Sequence, residues 1–247
     1  MLQFDTAGLS DIGKIRDHQE DAFLVDDEHG LYVVADGMGG HLAGEVASAI
    51  IIETLQAAVA DPGNPPPADR EAALSPEGSL VLNWIRSANR NVYLHAQRDE
   101  QCRGMGSTVA MLYFADNRVV AANIGDSPVY LVSASGIEML SAMHTVAAER
   151  NALDLQGLDL PVHFHHMLTR AVGIDADVEP NIRETDFRAG NAFILCSDGL
   201  SNAVEPEEML AIVRRCSARD ACARLIALAN ARGGDDNSTV IVIKIKG

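Results

Sequence analysis

The chain has 247 residues, 47% of them hydrophobic and 22% charged, with 9 prolines; this is a folded globular composition, long enough for one large domain or two small ones. Its formal charge of −16 opposes nonspecific nucleic-acid binding, which needs a basic surface, and suits either a solubilising acidic surface or carboxylates gathered around cations. Met1-Leu2-Gln3-Phe4-Asp5 lacks the basic-then-apolar pattern of a secretion signal. The four cysteines, Cys102, Cys196, Cys216 and Cys222, form no C-x-x-C pair and have no His at zinc spacing, so a reduced, cytoplasmic setting is expected.

In chain order, Asp21 to Ala35 holds two apolar runs around the polar turn Asp26-Asp27-Glu28-His29-Gly30, which predicts a hairpin. A helical period follows from about Ala43 to Val59. This is the longest apolar stretch, but Glu45, Glu53 and Gln56 interrupt it, so a packed helix is expected and not a membrane span. Asp61 to Gly78 carries five prolines and no periodicity, the pattern of a surface loop. A second helix is predicted from Leu80 to Gln97. Short β runs at Ser107 to Phe114, Arg118 to Asn123 and Val129 to Val132 are separated by Asp116-Asn117 and Gly125-Asp126, which suggests an antiparallel meander.

From about Ser141 to His166 the pattern weakens, with helical character near Val146 to Leu153. Strands are predicted again at Asn181 to Asp186 and Ala192 to Ser197. Two helices, Glu205 to Arg215 and Ala218 to Ala231, lead to a final strand from Ser238 to Lys244. Strand blocks around paired helical blocks indicate an α+β layered domain and not a parallel βαβ sheet. No internal repeat or interdomain linker is visible, so residues 1–247 read as a single domain.

Four apolar strands end next to an aspartate that touches glycine or asparagine: Asp36-Gly37, Gly125-Asp126, Asp198-Gly199, and Gly234-Asp235-Asp236-Asn237. Glycine permits unusual backbone geometry beside each carboxylate. Any one pair is more often an ordinary turn. Four in one chain favour a pocket of oxygen ligands for a hard cation such as Mg²⁺ or Mn²⁺.

The order and wording of these motifs are similar to those of the PPM family, the type 2C metal-dependent serine/threonine protein phosphatases, and to its compact bacterial members in particular. The resemblance runs from about Ala7 to Ile245. It is carried by Gly13, Arg16 and Gln19-Glu20-Asp21-Ala22; by Asp36-Gly37-Met38-Gly39-Gly40-His41 with Gly44-Glu45; by Gly106-Ser107-Thr108; by Asn123-Ile124-Gly125-Asp126-Ser127; by Leu168-Thr169-Arg170-Ala171-Val172-Gly173; by Ser197-Asp198-Gly199-Leu200; and by Asp236-Asn237-Ser238-Thr239-Val240.

The resemblance implies a central sandwich of two antiparallel β-sheets flanked by pairs of α-helices, a four-layer αββα domain with a flap at about 141–166. It implies two Mn²⁺ or Mg²⁺ ions per active site, with Asp36 bridging both, the Gly37 carbonyl on one, and Asp198 and Asp236 on the other. Glu20 and Asp21 would hold metal-bound waters. Asp126 with Asp198 would form a third, weaker site. Arg16 would bind the phosphate through its guanidinium fork. The implied reaction is hydrolysis of phosphoserine and phosphothreonine in proteins by a metal-activated water, opposing a bacterial serine/threonine kinase.

Two other readings remain: a noncatalytic phosphoprotein-binding pseudophosphatase, against which the joint presence of Arg16, Asp36, Asp198 and Asp236 argues, and a hydrolase of small phosphate esters. A monomer without nucleic-acid or membrane partners is expected. The few residues after the last strand suggest a bare catalytic domain. Met38 stands where some family members place a histidine as general acid; His41 is expected to orient the loop or cap the next helix. Pro128 and Met143 depart from the family's arginine and aspartate beside the flap and bear on substrate choice. The flap histidines, His144, His163, His165 and His166, lack regular ligand spacing and are expected to be solvated or locally packed.

Overall fold

The computed structural model describes residues 3–39, 43–60, 73–115, 118–153, 161, 164 and 166–247. Gly40 and the role expected of His41, most of the proline-rich loop, the Asp116-Asn117 turn, and His163 and His165 lie outside the described residues.

Alternation sets the layers. In β3 (Leu31–Met38), Leu31, Val33 and Ala35 pack with the helices α1 (Ala43–Ala60) and α2 (Pro76–Arg98), through residues such as Ile51, Leu55, Trp84 and Ile85. Tyr32 and Val34 point the other way, into a core shared with Phe193, Leu195, Ile241 and Ile243. The strand reads as one continuous apolar run because both of its faces are buried. A third core joins Ile194, Cys196, Val240 and Val242 to Met209, Val213, Ala221 and Leu225. These last four come from α5 (Pro206–Arg215) and α6 (Ala218–Ala231). The layers are therefore helix, sheet, sheet, helix, as expected.

One sheet has the order β1-β11-β10-β7-β8, from Gln3–Asp11, Ser238–Lys246, Ala192–Cys196, Val129–Ser133 and Gly136–Met139. The other has the order β2-β3-β5-β6-β9, adding Asp21–Asp26, Val109–Ala115, Arg118–Ile124 and Asn181–Asp186, with the two-residue β4 (Gly106–Ser107) on β3. Every pairing is antiparallel. The predicted meander is corrected here. β5 and β6 pair, but Gly125 to Pro128 carries the chain across to the other sheet, where β7 pairs with β10 and β8.

Helix α3 (Val146–Ala152) falls where helical character is expected, and the start of α2 shifts. Helix α2 begins at Pro76, with Ser75 as N-cap accepting from the Gly78 N–H at 3.0 Å; a proline at the first helical position lacks only an N–H that would be unpaired anyway. Helix α1 is apolar and long enough to cross a membrane by composition, yet its Ala47, Ile51, Leu55 and Val59 are buried in the core beneath α2.

Candidate active site

Register brings the acidic residues to one end of the sandwich. β3, β6, β10 and β1 finish there, and β2, β5 and β11 start there: Asp21 pairs with Asp36, Val109 with Ile124, Cys196 with Val240, and Asp11 with Ser238. The opposite end is closed by edge-to-face aromatic contacts, with Phe114 at 5.0 Å from Phe187, 5.4 Å from Phe193 and 5.6 Å from Tyr32.

At the acidic end a cavity of about 250 Å³ is lined by Arg16, Glu20, Asp36, Asp126, Asp198 and Asp236, together with Gly37. Asp21 lies behind it, 7% exposed. The structure thus gathers every sequence-predicted site residue, although they come from five separate segments. Asp36 and Gly37 belong to β3 itself and do not follow it, with Gly37 opposite Ser107 of β4.

The glycines matter here for a reason the sequence does not display. Neither Gly37 nor Gly199 adopts positive φ. A Cβ on Gly37 would collide with the carbonyl oxygen of Gly44 and, at 2.6 Å, with that of Glu20; one on Gly199 would collide with the Asn237 carbonyl oxygen. These glycines let segments touch. Gly125, at φ +91, does need the left-handed region.

The carboxylates are fixed individually. The Asp36 backbone N–H donates to Thr108 Oγ1 at 3.1 Å, and the Thr108 N–H returns a bond to the Asp36 carbonyl at 2.8 Å. Asp198 opens the short helix α4 (Asp198–Ser201) and accepts from Asn202 Nδ2 at 3.3 Å. Asp21 Oδ2 accepts from Ser197 Oγ at 2.8 Å, and Ser197 Oγ in turn accepts from the Thr239 N–H at 2.9 Å. Arg16 Nη2 meets Asp236 Oδ2 at 2.7 Å across the mouth.

Asn237 is the strap that sequence reasoning missed. Its Oδ1 accepts from the Glu20 N–H at 2.8 Å, and its Nδ2 donates to the carbonyls of Ile12 and His18 at 2.9 and 3.0 Å. One side chain thereby closes the loop that carries Arg16. The motif Asp236-Asn237 was visible, but nothing in it shows that the amide faces a distant loop. His166 also lines the cavity. His144 is buried instead, its Nδ1 accepting from the Gly125 N–H at 3.1 Å, beside Asp126, as expected of a locally packed histidine.

Charge now tests whether cations fit. Burial pushes the Asp36 carboxyl well above the usual range, and Asp21, Asp198, Asp126 and Asp236 push it further. Asp126 is raised to about 7 by burial and then by Asp198. Asp21 is raised to about 6, chiefly by burial, despite its bonds from Thr239 and Ser197. Asp198 is raised by burial and Asp236, partly offset by a hydrogen bond from Asp36. Glu20 is raised by burial against the opposing pull of Arg16. Among the described residues Arg16 is the one Lys or Arg lining the cavity, too little charge for this many acids. Asp21 Oδ1 is buried without a hydrogen-bond partner. An all-oxygen cluster short of positive charge, with an orphaned carboxylate oxygen, fits hard divalent cations.

Residues 16–229 match the family described as Protein phosphatase 2C. The chain is 32% identical to the serine/threonine phosphatase stp of Listeria welshimeri over 95% of its length and 93% of that protein. It is 33% identical to the serine/threonine protein phosphatase PstP of Mycobacterium tuberculosis over 97% of its length but 44% of that protein. The crystal structure of the catalytic domain of PstP in complex with 2 manganese ions superposes with a TM-score of 0.84 at 30% identity, covering 100% of both chains. The chain belongs to the protein phosphatase 2C family, in its compact bacterial form, and is a metal-dependent serine/threonine protein phosphatase.

Proposed function

We propose that the catalytic work rests on Asp36, Asp198, Asp236 and Arg16, acting on phosphoserine and phosphothreonine in proteins. The observation that carries this reading is the meeting of aspartates from separate strand ends in one cavity with Arg16 at its mouth. Asp36, the Gly37 carbonyl, Asp198 and Asp236 would hold two Mn²⁺ or Mg²⁺ ions, and Asp126 with Asp198 a weaker third. When bound, such ions make a shared water a better nucleophile and neutralise the phosphate's charge.

Around that chemistry the chain positions and shields. Arg16 presents a planar fork, and its side chain is 49% exposed, so it can meet an incoming phosphate by a bidentate contact. Glu20 and Asp21 supply acceptors that orient water: Asp21 Oδ1 is free to accept, and its other oxygen is held by Ser197. Met38 offers no proton to the leaving oxygen.

The whole chain would act as one catalytic domain, with the segment 141–166 as a flap that selects substrate. Its setting would be cytoplasmic and monomeric, opposing a serine/threonine kinase. The test is phosphate release from phosphothreonine and phosphoserine peptides with Mn²⁺, with and without chelator, beside a small phosphomonoester at equal concentration. Asp36→Asn and Asp198→Asn should each abolish release while circular dichroism stays native. Turnover that survives in either variant would defeat the assignment of these ligands. Preference for the small ester would move the substrate class, and peptide binding without turnover would favour a pseudophosphatase.

A further inference from the structure

The end of α2 carries three cation donors that the active site does not use. His95 lies in its last turn, and Asp99 is both the C-cap of α2 and the N-cap of a 3₁₀ turn, Glu100–Cys102. A ring nitrogen of His95, a carboxylate oxygen of Asp99 and Sγ of Cys102 lie within 4.8 Å of one another. Residues four apart share a helix face, and the tighter 3₁₀ turn keeps a residue three further on in line. That change of winding explains why His95 and Cys102 show no familiar ligand spacing in the sequence.

The cluster is held by backbone bonds, and Cys102 also packs into the core with Val92, Ala96 and Met105. The Asp99 N–H donates to the His95 carbonyl and the Cys102 N–H to the Asp99 carbonyl, both at 3.1 Å. Asp99 Oδ1 accepts from the Gln101 N–H at 2.9 Å, which leaves Oδ2 available. Among the described residues, neither the His95 imidazole nor Cys102 Sγ makes a side-chain hydrogen bond. His95 and Asp99 are exposed and Cys102 is buried beneath them, so solvent reaches the cluster from the side of His95 and Asp99. Burial, with Asp99 adding to it, raises the Cys102 thiol.

We propose that His95, Asp99 and Cys102 bind a borderline-soft divalent cation of the Zn²⁺ class, at a site separate from the aspartate cluster. Thiolate and imidazole select such an ion, whereas Mg²⁺ and Mn²⁺ prefer the all-oxygen pocket. Three protein donors leave a fourth tetrahedral position for water. On binding, Cys102 releases its thiol proton to solvent and His95 coordinates as the neutral imidazole. The 3₁₀ turn leads through Gly104 and Met105 into β4, whose Ser107 pairs with Gly37. An ion held by these three residues therefore anchors the strand that backs Gly37.

The test is titration of the chelator-stripped full chain with Co²⁺, read by the near-ultraviolet sulfur-to-cobalt charge-transfer band. Oxygen-only sites give no such band. The wild-type protein and Asp36→Asn should both show it, Cys102→Ser should not, and the exposed His95→Ala should weaken Co²⁺ affinity by at least about tenfold. Absence of the band, its survival in a folded Cys102→Ser protein, or unchanged affinity in His95→Ala would each overturn the site. His95→Ala keeps the test decisive should Cys102→Ser fail to fold.

Discussion

Asp21 and Asp126 carry folded-state values of about 6 and about 7 against a starting value of 3.8, shifts that together exceed the opposing one of the buried His144, lowered from 6.5 to about 4, and so set the direction of the pH dependence of the metal-free protein. Below about pH 4 both are protonated, folded or unfolded, and contribute nothing. Above it the unfolded chain gives up their protons first, so the fold holds more protons and loses stability as pH rises. Chelated protein should therefore melt at progressively lower temperature from about pH 4 to about pH 7, a trend that saturating Mn²⁺ removes. A melting temperature that climbs across that window would contradict it. His144 is a second residue-scale case. It accepts the Gly125 N–H, and His144→Ala leaves that buried donor unpaired, a loss of about 1–3 kcal/mol. Urea denaturation reads it; a change within about 0.5 kcal/mol would mean that another group, or water, takes the donor.

Among the elements, those with strong local signals were legible in the sequence: the β2–β3 hairpin, α6 and β9 appear where their patterns predict. β1 did not. Its stretch QFDTAGLSD alternates weakly because most of the strand is only half-buried, and nine register pairs with β11 from the far end of the chain hold it in place. Edge strand β8 is likewise short and exposed. Local pattern cannot report a strand made by distant pairing. The aspartates of the site were legible for the opposite reason: each sits beside a strand end with its own short motif. Asn237 was not, since its three bonds reach back more than two hundred residues. Asn237→Ala should free the loop that carries Arg16, lowering stability by about 1–3 kcal/mol and raising KM for a phosphopeptide more than it lowers kcat. An unchanged KM would show that the loop holds its place without the strap.

Across the whole molecule, the acidic cavity lies where the two sheets come together. Asp36 belongs to the six-stranded sheet; Asp198 and Asp236 stand at the ends of β10 and β11 in the other. Cations shared by these three would tie one sheet to the other and relieve their mutual repulsion, so ligand binding becomes folding free energy. At a hundredfold excess over its dissociation constant, one site filled adds about 2.7 kcal/mol, or roughly 5–10 °C in Tm for a chain of this size. Asp36→Asn separates the two contributions. It keeps the shape of the side chain but removes a buried carboxyl that costs stability at neutral pH whether it ionises or keeps its proton, so the chelated variant should melt above the chelated wild type. The same change removes the shared ligand, so the rise with Mn²⁺ should largely vanish. Differential scanning calorimetry of both proteins, with chelator and with Mn²⁺, measures all four states. If Asp36→Asn shows the full Mn²⁺ shift, the cations do not join the sheets through Asp36; if its chelated form melts lower, the buried carboxylate is not the source of the strain.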